Sequence, residues 1–176
     1  MNILISGGCK NGKSFFAQRL AKDMAQGGPL YYVATMRPVD DEDKQRIQRH
    51  ICERDGWGFT TIEQNEHICS CLDRPDVEHT GIFLLDSVTA LLSNEMFAAD
   101  GTFDLGAPER VADELIEFAK LTGNTIFVSD YIYSDAIQYE TLTETYKKGL
   151  AHIDKTLAAV CGRVAEVAYG NLNWFK

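Results

Sequence analysis

The sequence predicts an α/β fold, a mainly parallel sheet with helices on both faces, built around a phosphate-binding loop. Three observations predict it. Residues 7 to 14 read Gly-Gly-Cys-Lys-Asn-Gly-Lys-Ser and match G-x-x-x-x-G-K-[ST] at every fixed position. A short apolar run, Ile3-Leu4-Ile5, leads into that loop and an amphipathic stretch from Phe15-Phe16-Ala17 leads out of it, the strand–loop–helix context that such a site requires. Finally, continuous apolar runs such as Ile82-Phe83-Leu84-Leu85 and Thr125-Ile126-Phe127-Val128 alternate with helical periodicity along the chain. Runs of that kind read as strands buried on both faces, and their alternation with helices implies β-α-β units.

Taken in order, the expected strands are Asn2–Ser6, Leu30–Thr35, Phe59–Ile62, Ile82–Asp86, Thr125–Ser129 and Val164–Ala168. The expected helices are Lys13–Ala25, Asp41–Arg54, His67–Leu72, Val88–Ala98, Pro108–Leu121 and about Thr141–Cys161. The polar, glycine-bearing stretch Asp100–Gly106 reads as a flexible insertion. No internal repeat or linker interrupts the pattern, so residues 1–176 read as a single domain.

The loop carries the first chemistry. Its glycines let successive amide hydrogens turn inward toward phosphate oxygens, and the following helix adds its positive end. Lys13 reaches the β- and γ-phosphates in such a loop, and Ser14 offers its hydroxyl to Mg²⁺. The expected ligand is a nucleoside triphosphate. Cys9 occupies a position whose side chain is free to vary and is given no role of its own.

A carboxylate at the carboxyl end of a buried strand is the second requirement, since a sheet of this kind binds its ligands there. Asp86 closes the run Ile82–Leu85 and fits the Walker-B role of holding Mg²⁺. Asp130, which closes the run ending in Ser129, is a second candidate, and either residue could instead cap the helix that follows.

The third feature lies in the segment from Pro38 to Arg54. Acids at Asp40, Asp41, Glu42 and Asp43 suit a helix N-terminus, and Asp40-x-x-Asp43 resembles a capping box. Arg46, His50 and Arg54 recur every four residues and so share one face, with Ile47 and Ile51 on the adjacent face as expected anchors to the core. Neighbouring cations disfavour an imidazolium, which leaves a neutral ring able to act as a nucleophile. Spacing alone allows two readings: a face that meets phosphate, with His50 as nucleophile, or a solvated basic stripe. His67, His79 and His152 have no such neighbours and read as structural or exposed.

Composition narrows the partners. A net charge of −9 disfavours a nucleic-acid surface, which needs clustered Lys and Arg. No apolar run is long enough to span a bilayer, and the chain does not open with a basic region followed by an apolar segment, so neither a membrane span nor a secretory signal is expected. Five irregularly spaced cysteines, with Cys69-x-Cys71 lacking a second pair, read as reduced cytoplasmic thiols rather than zinc ligands.

The motifs in sequence resemble the bifunctional adenosylcobinamide kinase/adenosylcobinamide-phosphate guanylyltransferase family of cobalamin assembly. The resemblance runs through Ile3–Gly8 and the phosphate loop, then Tyr32-Val33-Ala34-Thr35, Asp41-Glu42, Arg46-Ile47-Gln48-Arg49-His50, Arg54 and Thr61-Ile62-Glu63. It continues in Leu84-Leu85-Asp86-Ser87-Val88-Thr89 and Ser93-Asn94, and is carried mainly by residues 1 to about 98. The Arg-Ile-x-x-His segment is its most specific part and favours His50 as the nucleophile. The resemblance implies a RecA-like P-loop NTPase fold, a homotrimer, and two reactions at one nucleotide site. In the first, ATP or GTP with Mg²⁺ phosphorylates the alcohol of adenosylcobinamide. In the second, His50 attacks the α-phosphate of GTP and carries GMP to the phosphorylated corrinoid. Nucleotide-contact positions fall on Gly7, Gly8, Cys9, Lys10, Asn11, Gly12, Lys13 and Ser14, on Thr35, Met36 and Arg37, on Ile51, Cys52, Glu53 and Arg54, and on Glu63 and Asp86. Lys13 and His50 are the implied catalytic residues, Ser14 and Asp86 the implied metal ligands.

The last third departs from the family pattern. The usual Ser-Asn-Glu-Val-Gly reads Ser129-Asp130-Tyr131-Ile132-Tyr133, the Gly-Ile-Val-Pro that follows reads Ala136-Ile137-Gln138-Tyr139, and the Phe-Arg-Asp segment appears as Thr145-Tyr146-Lys147-Lys148. The Asn-Gln pair of the final helix reads Asp154-Lys155. Those stretches are expected to shape the acceptor pocket. The alternative function is a P-loop kinase for another small-molecule alcohol, without a covalent intermediate.

Overall fold

The computed structural model describes the chain except Val39, Ala99 and Ala136 and the side chains of Glu42, Asp43, Lys44, Arg46, Arg49, His50 and Glu53. The side-chain roles expected of Arg46, His50 and Glu53, and the Asp43 half of the capping box, therefore lie outside the described residues.

Seven strands form one sheet: β1 (Ile3–Gly7), β2 (Leu30–Ala34), β3 (Thr60–Glu63), β4 (Ile82–Asp86), β5 (Thr125–Asp130), β6 (Arg163–Ala168) and β7 (Asn171–Trp174). Their order is β3-β2-β4-β5-β1-β6-β7, and all neighbouring pairs are parallel except β6–β7. The helices are α1 (Lys13–Ala25), α2 (Asp41–Arg54), α3 (Val88–Met96), α4 (Ala107–Thr122) and α5 (Thr141–Val160).

Strand alternation divides the core in two. Leu4, Val33, Leu85 and Phe127 point to one face, where Leu91 and Leu92 of α3, Leu115 and Phe118 of α4, and Leu150, Ile153 and Leu157 of α5 cover them. Ile3, Ile5, Leu84, Ile126 and Val128 point to the other face and pack with Ala17 and Ala21 of α1. Local signals set the helix limits. Ser87 accepts from Ala90 N at the start of α3, Pro108 opens α4, and Gly123 (φ 67°) closes it with its N–H on Ala119 O. At Gly149 a Cβ would lie 2.7 Å from Pro108 Cγ, so the absence of a side chain lets α5 approach the start of α4.

Four expectations change. The segment expected as an α-helix from His67 is a 3-10 helix, Ile68–Asp73, too short to sustain α-helical hydrogen bonding. An antiparallel strand, β7, follows β6 through Tyr169 (φ 51°) and Gly170 (φ 73°), a two-residue turn with both φ positive. The stretch 100–106 folds back on its neighbours through a Phe97–Phe103 bridge and the Asp104 N to Met96 O hydrogen bond. The expected anchoring of α2 by its isoleucines also fails, for reasons that belong to the site.

Candidate functional site

Four adjacent strands, β2, β4, β5 and β1, bring Thr35, Asp86, Asp130 and Gly7 to one edge of the sheet, the carboxyl ends where such sheets bind ligands. The phosphate loop leaves β1 there. Gly7 has φ 155°, and a Cβ on it would lie 2.5 Å from both Val167 O and Asn11 Nδ2, so only glycine fits. Asn11 Nδ2 donates to Val167 O and ties the loop to β6. Gly12 (φ 92°) then turns the chain into α1, whose first two residues are Lys13 and Ser14.

Lys13 is only 6% exposed, unusual for lysine, and its ammonium is fixed by two acceptors. Nζ donates to Gly8 O at 2.7 Å and to Asp130 Oδ1 at 2.8 Å. Asp130 is itself held in place, because its amide donates to Thr89 Oγ1 at 2.8 Å and the next amide, of Tyr131, donates to Gly7 O at 2.9 Å. The structure thus places Asp130 against the lysine of the phosphate loop.

Asp86 has a different neighbour. The Tyr32 hydroxyl, from β2, donates to Asp86 Oδ2 at 2.9 Å. The face of the same ring carries the guanidinium of Arg54, with Cζ 3.5 Å from the ring centroid, and Arg54 is 7% exposed. This cation–π contact docks the end of α2 against the sheet. Ile51, expected as an anchor, is exposed, and Ile47 is half-buried. The buried arginine takes the role expected of the isoleucines, because an aromatic face compensates its desolvation where bulk water cannot.

A cavity of about 370 Å³ opens beside this contact, lined by Ile51, Arg54, Gly58, Phe59 and Thr61. Trp57, in the loop that forms one wall, meets the Phe15 ring of α1 edge-on at 6.2 Å, so the cavity adjoins the helix that begins at the phosphate loop. Thr35 is fully buried and braces the start of the β4–α3 connection: its Oγ1 accepts from Ser87 N and lies 2.7 Å from Ser87 O. Asn94 Nδ2 donates to Thr35 O at 2.7 Å, a bracing role for which the sequence offered only the Ser93-Asn94 pair. Arg37 is paired with Glu66 at 2.6 Å. Met36 is half-buried, while Cys9, Lys10, Cys52 and Glu63 are exposed, Glu63 at the end of β3 beside Ala34.

The structure therefore gathers Lys13, Ser14, Asp86 and Arg54 at one end of the sheet, joins the second candidate carboxylate Asp130 to Lys13, and adds Tyr32 and Thr89 to them. Tyr32 was hidden in an apolar run, its alternation with Tyr31 masked by two identical side chains. A separate cluster joins His67, Glu95 and Glu114, the one such group with metal-compatible spacing among the described residues. Both carboxylates already accept backbone amides, Glu95 from His67 and Glu114 from Ile68, and so serve as caps for the 3-10 helix. No helix among the described residues is long and apolar enough to cross a membrane.

Comparison with known proteins agrees with this geometry. A family model described as cobinamide kinase / cobinamide phosphate guanyltransferase matches residues 3–173. The chain is 28% identical over 180 residues to the bifunctional adenosylcobalamin biosynthesis protein CobU of Salmonella typhimurium, covering 97% of each chain. It is 29% identical over 174 residues to the bifunctional adenosylcobalamin biosynthesis protein CobP of Pseudomonas aeruginosa, covering 97% of this chain and 94% of that one. Among solved structures, an ATPase domain superposes with a TM-score of 0.52 at 9% identity, over 94% of this chain and 68% of that one. A protein from Pyrococcus horikoshii OT3 gives 0.54 at 9% identity, over 99% and 85%. These likenesses carry the fold, a RecA-like P-loop α/β sheet.

Proposed function

The chain belongs to the cobinamide kinase / cobinamide phosphate guanyltransferase family, a family of transferases, and from that premise we propose that it performs both reactions at its one phosphate-loop site. Residues 1–176 act in this reading as a single nucleotide-binding unit, in a cytoplasmic homotrimer. ATP or GTP phosphorylates the alcohol of adenosylcobinamide, and GTP then supplies GMP to the phosphorylated product.

One observation supports the reading above others. Residues that the resemblance assigns to nucleotide meet at the carboxyl ends of adjacent strands in two groups, Lys13 on Gly8 in the loop and Arg54 on Tyr32, which in turn holds Asp86. Lys13 is poised for negative charge, since its present acceptors are a carbonyl and a carboxylate that phosphate oxygens can replace. Electrostatic stabilisation of that kind supplies most of the rate of phosphoryl transfer. The hydroxyl of Ser14 and the carboxylate of Asp86 form an oxygen donor set suited to a hard cation, and Mg²⁺ held there would neutralise charge on the phosphates.

For the second reaction we assign His50 as nucleophile. It precedes Arg54 by one turn of α2, and Arg54 fixes that end of the helix to the sheet. An imidazole nitrogen attacks the α-phosphorus of GTP, the bond to the bridging oxygen breaks, pyrophosphate leaves, and the ring proton passes to solvent. The phosphate oxygen of the corrinoid then displaces the ring and takes the GMP. Incubation with α-labelled GTP followed by intact-mass measurement tests this. One GMP should add through an acid-labile, alkali-stable bond, and His50→Ala should lose the adduct while still phosphorylating the corrinoid. An adduct on the His50→Ala chain moves the nucleophile elsewhere, and no adduct on the natural chain leaves a plain kinase.

A further inference from the structure

A second cavity, of about 380 Å³, lies on the α5 face of the sheet, between β1, β6 and α5. It is distinct from the one beside Arg54 and shares none of its residues. Ser6, which immediately precedes the phosphate loop, contributes to its wall, as do Tyr131 and Tyr133 beyond Asp130. It therefore adjoins the loop from the side opposite α1.

Two independent observations mark it as a built site. The first is a buried carboxylate with an unsatisfied oxygen. Asp154 lines the cavity, is 4% exposed, and accepts from the Tyr133 hydroxyl through Oδ2 at 2.9 Å. Its Oδ1 makes no hydrogen bond of normal geometry, and neither do the hydroxyl oxygens of Ser6 and Ser129 on the strands beneath, although the Ser129 hydroxyl is near enough to favour the ionised carboxylate. Buried polar atoms are nearly always satisfied, so a loosely held carboxylate oxygen beside a cavity leaves a place for a partner. The second is that segments far apart in sequence build one wall, since Tyr131 and Tyr133 beyond β5 and Asp154 and Lys155 of α5 all line this one cavity.

The lining sets the chemistry. Its charged groups are Asp154, Lys155 and Glu166, an anionic balance that rejects phosphate, and the rest is largely aromatic or aliphatic, including Ala151, Val164 and Phe175. Such a pocket accepts a small apolar body bearing N–H or O–H donors. We propose that this cavity binds a hydrogen-bond-donating arm of the phosphoryl acceptor, an amide, hydroxyl or amine group, on the free oxygen of Asp154. Its assignment to the acceptor rests on the kinase reading above.

The test uses the full-length chain. Ala151→Phe fills the cavity from α5, and Asp154→Asn keeps the shape while removing the charge. Steady-state kinetics with adenosylcobinamide should show KM for the corrinoid raised about tenfold or more in both variants, a loss in the range of one charge-assisted hydrogen bond. Nucleotide affinity, measured by titration calorimetry, should stay within about twofold. Unchanged corrinoid KM in both variants overturns the proposal. So does a change in oligomer mass that tracks the KM effect, because the cavity then seats a second copy of the chain. If the natural chain phosphorylates no corrinoid, the kinase reading fails on its own account. The cavity is then read with 1-amino-2-propanol by saturation-transfer NMR: binding to the natural chain and not to Ala151→Phe supports the site, and no binding to the natural chain overturns it.

Discussion

Lys13 Nζ and Asp130 Oδ1 stand 2.8 Å apart, joining the phosphate loop to the end of β5 across 117 residues of sequence. The lysine is 7% and the aspartate 29% exposed in their side chains, so the pair is shielded from solvent on the lysine side. Under the proposed function an incoming triphosphate would compete with Asp130 for the same ammonium, so that the carboxylate would stand in for phosphate charge and keep the lysine extended into the loop.

Two substitutions separate the partners. Lys13→Ala should lower both phosphoryl and guanylyl transfer by about 10²-fold or more, the scale on which single electrostatic contacts to a transition state act, with circular dichroism unchanged. Asp130→Asn should instead tighten nucleotide binding, because Lys13 no longer has an anionic competitor. Turnover that suffers more in Asp130→Asn than in Asp86→Asn would move the metal-holding carboxylate from β4 to β5.

The Tyr32 ring serves two partners at once, with Asp86 on its hydroxyl and Arg54 on its face. Tyr32→Phe keeps the face and deletes the hydroxyl, so α2 should remain docked while Asp86 loses its positioning donor. The Mg²⁺ concentration needed for half-maximal activity should rise severalfold, with thermal stability little changed. Tyr32→Leu removes both, and should also weaken guanylyl transfer as the end of α2 loses the surface beneath Arg54. Equal Mg²⁺ dependence in Tyr32→Phe and the natural chain would remove Tyr32 from the site.

Much of this was legible in the chain. Helices Lys13–Ala25 and Asp41–Arg54 and strand Ile82–Asp86 fall where periodicity and the phosphate-loop motif put them. The turn before β7 was also written in the sequence, as Tyr169-Gly170 ahead of the alternating Asn171-Leu172-Asn173-Trp174, but polar residues on an exposed edge strand gave it little apolar signal. The burial of Arg54 was not legible, since cations are ordinarily solvated and only the tertiary position of Tyr32 supplies the compensating ring. The same holds for Lys13 with Asp130, and for the meeting of Tyr133 with Asp154, which depend on strand order rather than on neighbours in sequence.

Asp154 makes the protein's stability depend on pH in a direction opposite to that of a salt-bridged carboxylate. Burial pushes its carboxyl from 3.8 up to about 6, against the nearby hydroxyls of Ser129 and Tyr133, which favour the ionised form, and with Asp130 adding a smaller upward push. The folded state therefore holds this proton more tightly than the unfolded chain. Below about pH 4 both states are protonated and Asp154 costs nothing. Between there and about pH 6 the unfolded chain ionises first, so stability falls as pH rises, and above pH 6 the full penalty applies. A shift of this size corresponds to roughly 3 kcal/mol at about 1.36 kcal/mol per unit. Asp154→Asn can still accept from Tyr133 and carries no charge. It should unfold several degrees higher than the natural chain at pH 7.5, since roughly 2–4 °C accompanies each kcal/mol in a domain of this size. At pH 4 the two should melt together. Thermal unfolding followed by circular dichroism across pH 4 to 7.5 decides it: a gap that opens through pH 5 to 6 marks the buried carboxyl, and a constant gap assigns the effect to packing instead.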